Sequence, residues 1–403
     1  MILKPPLGRI RVFLGDQPAG DLTVYPDDRT EFTLSSDYLS LYPRPVLGQT
    51  FEDNLERTHS SRMQLPPFFS NLLPEEKNRD LIALQLGVSP KREAHLLAYL
   101  GEDLPGNVRA VADGELPDVS AEHTPPLPTG LQHPIKFSLA GAQPKLSMFR
   151  APDGLTFPST GAGGDLLVKT PGTRYRGVPE NEFFTMGWAR ASGIQVPDHW
   201  LEPVARLHNV PPELSEDSGY AFVVARFDRP EPGRRIHIED FAQVLGFYGD
   251  YASKYRKTNY ETIANVIWSL HRPSFDEFLR RLVFVAMSAN GDAHAKNWSL
   301  WYPDGVHPEL SPAYDLVSTI EFIEEDTLGL NLAGSKTWPE VSLASFEQLA
   351  TRIGADPAHV AAVVREAVAK TRAAWEARKK EASETLVKRL EKHWQRMPLA
   401  NAG

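Results

Sequence analysis

Strict alternation of apolar and polar positions marks the start of the chain. Ile10, Val12 and Leu14, then Leu22 and Val24, then Phe32 and Leu34 recur at every second residue, with GDQPAG and YPDDR between them. A period of two broken by turn residues predicts a small antiparallel meander over residues 9–34. From Glu75 to Leu100 the apolar positions (Leu81, Leu84, Leu86, then Leu96, Leu97, Leu100) adopt helical spacing, and GVSP separates two predicted helices. Residues 113–134 carry five prolines and no period, which predicts a linker or boundary loop. Over 135–229 strand patterns return around one helix. IKFSLAG and PKLSMFR flank a tight loop, DLLVKTP is a short apolar strand, and AFVVARFDR is another. Between them PENEFFTMGWARASGI opens with Pro and acids and closes at Gly, as a helix does. After about residue 236 the pattern is helical, apart from one hairpin near 298–312, and 358–396 reads as two long helices or one broken helix. These shifts divide the chain into 1–112, 113–235 and 236–403.

Composition narrows the class. A chain of 403 residues is long enough for two or three domains, and 41% hydrophobic with 24% charged residues is the balance of a globular protein. The net charge of −9 argues against the whole body being a nucleic-acid binder, although residues 365–396 hold ten Lys/Arg against five Glu. That basic segment reads first as a solvated helical face and second as a nucleic-acid contact. With no cysteine, thiolate metal sites and thiol nucleophiles are excluded. The first residues, MILKPPLGRIRVFLG, place prolines where a signal peptide needs an unbroken apolar core, and no apolar run reaches the length of a membrane span. A cytoplasmic protein with no membrane partner is expected.

Candidate chemistry concentrates in NGDAHAKNWSLWYPDGVHPELSPAYDL, residues 290–316. Asp292 and Asn297 have the D-x-x-x-x-N spacing of a kinase catalytic loop, in which the acid receives the proton of the acceptor hydroxyl and the amide holds Mg²⁺. The WSLWY strand and PDG turn then bring the chain back to Tyr314-Asp315, a second carboxylate suited to an ATP-bound Mg²⁺. Alone, such spacing is common among ordinary turn residues. Upstream, Lys169 ends the apolar strand DLLVK, where a kinase needs a phosphate-gripping lysine, and Glu182 begins the next helix as its possible ion-pair partner or a plain helix-start acid. Before them, Ser138-Leu-Ala-Gly-Ala-Gln-Pro-Lys145 offers small residues whose backbone can approach phosphate. The loop, strand lysine, helix acid, helical lobe, D-x-x-x-x-N and returning Asp follow the order of parts in a protein-kinase-like fold.

With these stretches the sequence resembles the HipA family of toxin serine/threonine kinases. The resemblance rests on FFSNLLPE (68–75), SLAGAQPKLS (138–147), LLVKTP (166–171), ENEFF (180–184), ARFDR (225–229), EDFAQVLG (239–246), NGDAHAKNWSL (290–300) and LSPAYDLVST (310–319). It implies an α+β, protein-kinase-like two-lobed fold: an N-terminal subdomain, a small kinase N-lobe and an all-helical C-lobe. It also implies ATP and Mg²⁺ as cofactors, Asp292 as catalytic base with Lys169, and Asn297 and Asp315 as metal ligands. Ala140, Gly141, Ala142, Gln143, Pro144 and Lys145 would cover the phosphates. Ala225, Arg226 and Phe227 would form the adenine hinge, largely through backbone groups, and His294, Ala295, Lys296 and Tyr314 would complete the pocket. Ser138 would be the autophosphorylated serine whose modification inactivates the enzyme. The implied partners are a HipB-like helix-turn-helix antitoxin, operator DNA mainly through that antitoxin, and a protein substrate, an aminoacyl-tRNA synthetase. The chain departs from the family pattern at Ala225 and Pro144. Two other readings remain: a small-molecule phosphotransferase of the aminoglycoside or choline type, and a kinase-like corepressor without catalysis.

Overall fold

The structure, a computed structural model, describes residues 6–114, 116, 145–158, 163–172, 175–210 and 218–403. Two compact units compose it. The first takes residues 1–172, 202–249 and 302–306, the second residues 173–201, 250–301 and 307–403.

In the first unit, the predicted meander forms Gly8–Leu14, Gln17–Val24 and Arg29–Leu34. His59–Arg62 and Val108–Ala112 extend it at either side into a five-stranded sheet, antiparallel at every pairing. The alternation seen in the sequence turns Ile10, Val12, Leu22, Val24 and Phe32 into the core. Phe32 packs there at a tilt against Phe51 and edge-on against Phe69, ring centroids 5.2 and 4.7 Å away. Helices Glu76–Leu86 and Glu93–Leu100 follow, broken where Gly87 adopts φ 66. A second sheet orders its strands as Leu207–His208, Gly154–Thr156, Lys145–Ala151, Leu166–Lys169 and Tyr220–Ala225.

The compact units do not divide at 112/113 and 235/236, where local pattern suggested breaks, because buried ionic contacts join segments far apart in sequence. Arg226 clasps Asp228 through two hydrogen bonds of 3.0 and 2.8 Å. Arg229 donates to the same carboxylate (2.8 Å) and to Leu104 O (2.9 Å), while Gly106 N–H completes Asp228 Oδ2 at 2.9 Å. These cations hold the Asp228 carboxyl far below the ordinary carboxylate range despite its burial. A second joint links His237 Nε2 to Leu47 O at 2.9 Å and Gln49 N–H to Glu239 at 3.1 Å, so 1–112 and the later strands share one body. The linker read at 113–134 lies outside the described residues, apart from 113, 114 and 116.

The second unit is helical, with Val178–Ala191, Tyr251–Arg256, Tyr260–Leu270, Phe275–Met287, Leu343–Ile353, Pro357–Arg378 and Glu384–Arg396. The basic terminal stretch is two helices, separated by the 3₁₀ turn Lys379–Glu381. Trp188 lies at the centre, its ring 4.9 Å from Trp375 and 5.0 Å from Phe284, its Nε1 donating to Thr371 O at 2.9 Å. This contact places helix Val178–Ala191 in the second unit, although the sequence grouped it with the strands before it. Trp394 Nε1 donates to Met287 O (2.7 Å) and His393 Nε2 meets Ala286 O at 2.9 Å. The terminal helix thereby braces the end of Phe275–Met287, where the candidate catalytic loop begins. Among the described residues, no helix is long and apolar enough to cross a membrane.

Candidate active site

The loop carrying Asp292 is set by how its helix ends. Asn290 N–H reaches back to Val285 O (3.0 Å) and Ala289 N–H to Ala286 O (3.2 Å), a Schellman closure. Ala289 takes the left-handed position at φ 51, where glycine is usual, so the turn holds local strain of order 1 kcal/mol. Fully buried Asn290 accepts Asp292 N–H at 3.0 Å, and Gly291 N–H donates to Thr319 Oγ1 at 2.7 Å. Asp292 O then accepts both His294 N–H (2.7 Å) and Asn297 Nδ2 (2.9 Å). The D-x-x-x-x-N spacing is therefore a closed turn in which the amide nitrogen is spent on the loop itself. Asn297 Oδ1 accepts no hydrogen bond among the described residues, which leaves it available to a cation. The Asp292 side chain is 53% exposed. Its Oδ1 accepts the hydroxyl of Tyr255, and its Oδ2 accepts nothing among the described residues.

The predicted hairpin returns the chain to this loop. Ser299–Tyr302 pairs with Glu309–Leu310 through Leu300↔Leu310 and Trp301↔Glu309, and Ser311 N–H continues the ladder to Ser299 O at 2.9 Å. Tyr314 OH lies on Lys296 O at 2.9 Å and shares a short hydrogen bond with Ser299 Oγ. The residue before Asp315 is thereby held against the residue before Asn297. Asp315, half-buried, sits at φ 54, a left-handed conformation that aspartate tolerates better than most side chains. His294, Ala295 and Lys296 are buried in and beside the 3₁₀ turn Ala295–Asn297, and the His294 ring packs edge-on against Tyr255 at 4.9 Å.

Mg²⁺ bound with a nucleotide uses one or two protein oxygens and completes its shell with phosphate and water. Asn297 Oδ1 and the Asp315 carboxylate fit that sparse donor set. Among the described residues, no group of three or more His, Asp or Glu side chains is placed to hold a metal ion.

In the first unit, Lys145 and Lys169 are direct partners in the antiparallel pairing of their strands. Both are more than 90% buried, and partners of this kind project to one face of a sheet. Two lysines on one face of a sheet supply the positive charge that a polyanion such as a triphosphate needs. Lys169 Nζ also lies 5.7 Å from the Phe222 ring centroid, on the strand at its other side. Ser138, Ala140, Gly141, Ala142, Gln143 and Pro144 lie outside the described residues. Of the three expected hinge residues, Ala225 ends its strand opposite Leu166 and Phe227 is half-buried. Arg226 departs from the expectation. Its guanidinium is locked in the Asp228 cluster, its N–H donates to Asp165 O (2.8 Å) and its carbonyl accepts Arg229 N–H (2.9 Å). Its place is structural, because neither its side chain nor its N–H is available to adenine. Glu182 is buried on helix Val178–Ala191 in the second unit.

Several residues that shape the Asp292 loop were not singled out from the sequence. Asn181, beside Glu182 in ENEFF, accepts Ser318 N–H (2.9 Å) and donates to Ser318 O (3.2 Å), fixing the segment just past Asp315. Thr319 Oγ1 touches Gly291 N–H, Ala289 O (3.0 Å) and Asp326 Oδ2. A hydroxyl has one proton for those two acceptors, so the trio is completed when Asp326 is itself protonated. Burial and the charge of Asp292 both raise the Asp326 carboxyl above its ordinary range. Lys336 Nζ donates to Tyr255 O (2.9 Å) and Gly329 O (2.7 Å). The signal that could have found Asn181 was its place between two acids, Glu180 and Glu182, in the first turns of a helix; Tyr255, Asp326 and Lys336 carry none.

Comparison with known proteins places the chain in a family. The HipA N-terminal domain family matches residues 10–111 and the HipA-like C-terminal domain family matches residues 137–375. A Sinorhizobium fredii protein named "Putative kinase Y4dM" is 41% identical over 386 residues, covering 93% of either chain. The serine/threonine-protein kinase toxin HipA of Shewanella oneidensis is 28% identical over 346 residues, 77% of this chain and 75% of the toxin. A chain in the solved complex of Shewanella oneidensis HipA, HipB and operator DNA superposes with a TM-score of 0.72 at 22% identity, over 98% of this chain and 96% of that one, which shows a shared fold. On two family domains spanning most of its length and a relative this similar end to end, the chain belongs to the HipA family.

Proposed function

We propose that this HipA-family protein is an ATP-dependent serine/threonine protein kinase and the toxin of a HipBA-like module. The observation that carries the reading is the closed Asp292–Asn297 turn with Asp315 returned beside it by the hairpin. Asp292 Oδ2, exposed and without a hydrogen bond among the described residues, receives the proton of the acceptor hydroxyl. Asn297 Oδ1 and Asp315 hold Mg²⁺, which neutralises charge on the phosphates when bound. Lys145 and Lys169 grip those phosphates from their paired strands, and residues 140–144 cover them. Ala225 and Phe227 meet adenine, with His294, Lys296 and Tyr314 shaping the pocket around the loop. Catalysis of this kind is positioning and charge neutralisation, with no covalent enzyme intermediate.

Further parts of the proposal rest on the family. A HipB-like helix-turn-helix antitoxin binds the protein and carries it to operator DNA, by analogy with the Shewanella oneidensis complex of HipA, HipB and operator DNA. The target is a cytoplasmic protein of translation, an aminoacyl-tRNA synthetase, and phosphorylation of Ser138 switches the enzyme off by placing about −1.5 to −2 charge beside the phosphate loop. The test is to supply γ-labelled ATP together with purified synthetases, an aminoglycoside and choline. Label on a synthetase serine or threonine supports the reading. Label only on the small molecules, or none, overturns it.

A further inference from the structure

A hydrogen bond in the second unit bears directly on the proposed base and is used by no step above. The Tyr255 hydroxyl, on helix Tyr251–Arg256, donates to Asp292 Oδ1. Asp292 and Asn297 are separated by one turn of loop, but Tyr255 lies 37 positions upstream of Asp292 and approaches from a different element. It is held there from several sides. Its ring packs edge-on against His294 (4.9 Å, 86°) and beside Tyr251 (5.0 Å), and its carbonyl is pinned by Lys336 Nζ. Lys336 in turn grips Gly329 O, so the bracing runs to the segment following Asp326. Burial, together with the adjacent Asp292 charge, raises the phenol above its ordinary range and keeps it a donor at neutral pH.

A carboxylate on an exposed loop can rotate about its side-chain torsions and present either oxygen in several directions. Fixing one oxygen by a rigid donor removes most of that freedom and aims the other. We propose that Tyr255 is a positioning residue for the phosphoryl-transfer base: it clamps Asp292 Oδ1 so that Oδ2 alone faces the acceptor hydroxyl. The inference rests on the kinase reading of Asp292 and adds the device that orients it. A near-attack geometry of this kind is worth one to several powers of ten in rate, and a single lost orienting bond accounts for about tenfold.

The test has two arms. In the first, Tyr255→Phe keeps the ring and its contacts with His294 and Tyr251 but removes the donor. Expected is a fall of about tenfold in kcat, with KM for ATP and the melting temperature little changed, while Asp292→Asn abolishes transfer. A kcat equal to wild type, or a loss that appears in ATP KM alone, overturns the inference and leaves the kinase reading standing. The second arm needs no activity. With tyrosines carrying ¹³C at Cζ, the resonance missing from Tyr255→Phe is that of Tyr255, and it should shift in Asp292→Asn. An unmoved resonance means that the clamp does not form. If wild-type protein transfers no phosphate but the resonance moves, the kinase reading has failed and the contact has not, so the two failures are told apart.

Discussion

Glu239 should make the first unit lose stability as pH rises through neutrality. It is fully buried, accepts Gln49 N–H at 3.1 Å and the Tyr302 hydroxyl, and lies near Asp240 and the Arg44–Glu52 pair. Burial dominates these hydrogen bonds and pushes its carboxyl up to about 8. Native protein therefore keeps this proton while the unfolded chain releases it above about 4.5, and stability falls by about 1.4 kcal/mol per pH unit until the native group also ionises. Two residues earlier, buried His237 is pushed down to about 4, with the opposite consequence: stability is lost as pH falls from 6.5 towards 4. The two slopes offset each other between about 4.5 and 6.5, leaving Glu239 alone between 6.5 and 8. Over that window Glu239→Gln should gain about 2 kcal/mol relative to wild type, an upper figure because native relaxation and water entry reduce such penalties. All eight tryptophans lie in the second unit, so their fluorescence does not report this. Urea unfolding followed by hydrogen exchange of peptides spanning 237–246, at pH 6.5, 7.25 and 8, does. A wild-type-minus-variant difference that stays flat across those three values would refute the burial argument.

Other expectations concern the second unit and can use tryptophan fluorescence. Asn181→Ala removes both amide contacts to buried Ser318 and should cost about 1–3 kcal/mol in urea unfolding, with a fall in phosphoryl transfer because the segment after Asp315 loosens. An unchanged midpoint would show that the amide is dispensable. A Cβ on Gly291 would lie 2.1 Å from Asp326 Oδ2 and 2.3 Å from its Cγ, so Gly291→Ala should destabilise by about 1–3 kcal/mol. Asp326→Ala should relieve much of that, giving a coupling of about 1 kcal/mol or more in a double-mutant cycle; additive effects would contradict the close approach.

Local pattern made much of the fold readable and failed where distant segments decide. The meander was legible because its period of two is written in Ile10, Val12, Leu22 and Phe32, all core residues. The hairpin was legible from its PDG turn between apolar runs, and its pairing lies within the 298–312 range read from the sequence. Unit boundaries were not, because Gly106 meets Asp228 and Asp103 meets Arg229 across more than 100 residues, and periodicity describes elements without saying which share a core. The Arg226–Asp228 pair was not legible either, because it lies just past the strand Tyr220–Ala225 in a turn closed by Arg229 N–H on Arg226 O, where strand alternation no longer says which side chains share a face. Tyr255 and Asp326 were invisible for a plainer reason. A tyrosine in a short helix and an aspartate in an acidic run look like any surface residue until the loop of Asp292 folds against them.

The central claim is that Asp292, Asn297 and Asp315 act together on the terminal phosphate of a nucleotide. Its most direct measurement is intact-mass analysis of fully dephosphorylated protein incubated with Mg²⁺ and ATP, alone and with a candidate protein acceptor, for wild type, Asp292→Asn, Asn297→Ala and Asp315→Asn. Wild type should gain about 80 Da per phosphoryl group in an ATP-dependent way, and none of the three variants should, while all keep the wild-type melting temperature to within a few degrees. Equal gain in wild type and Asp292→Asn, or no gain by wild type on itself or any acceptor, would contradict the claim.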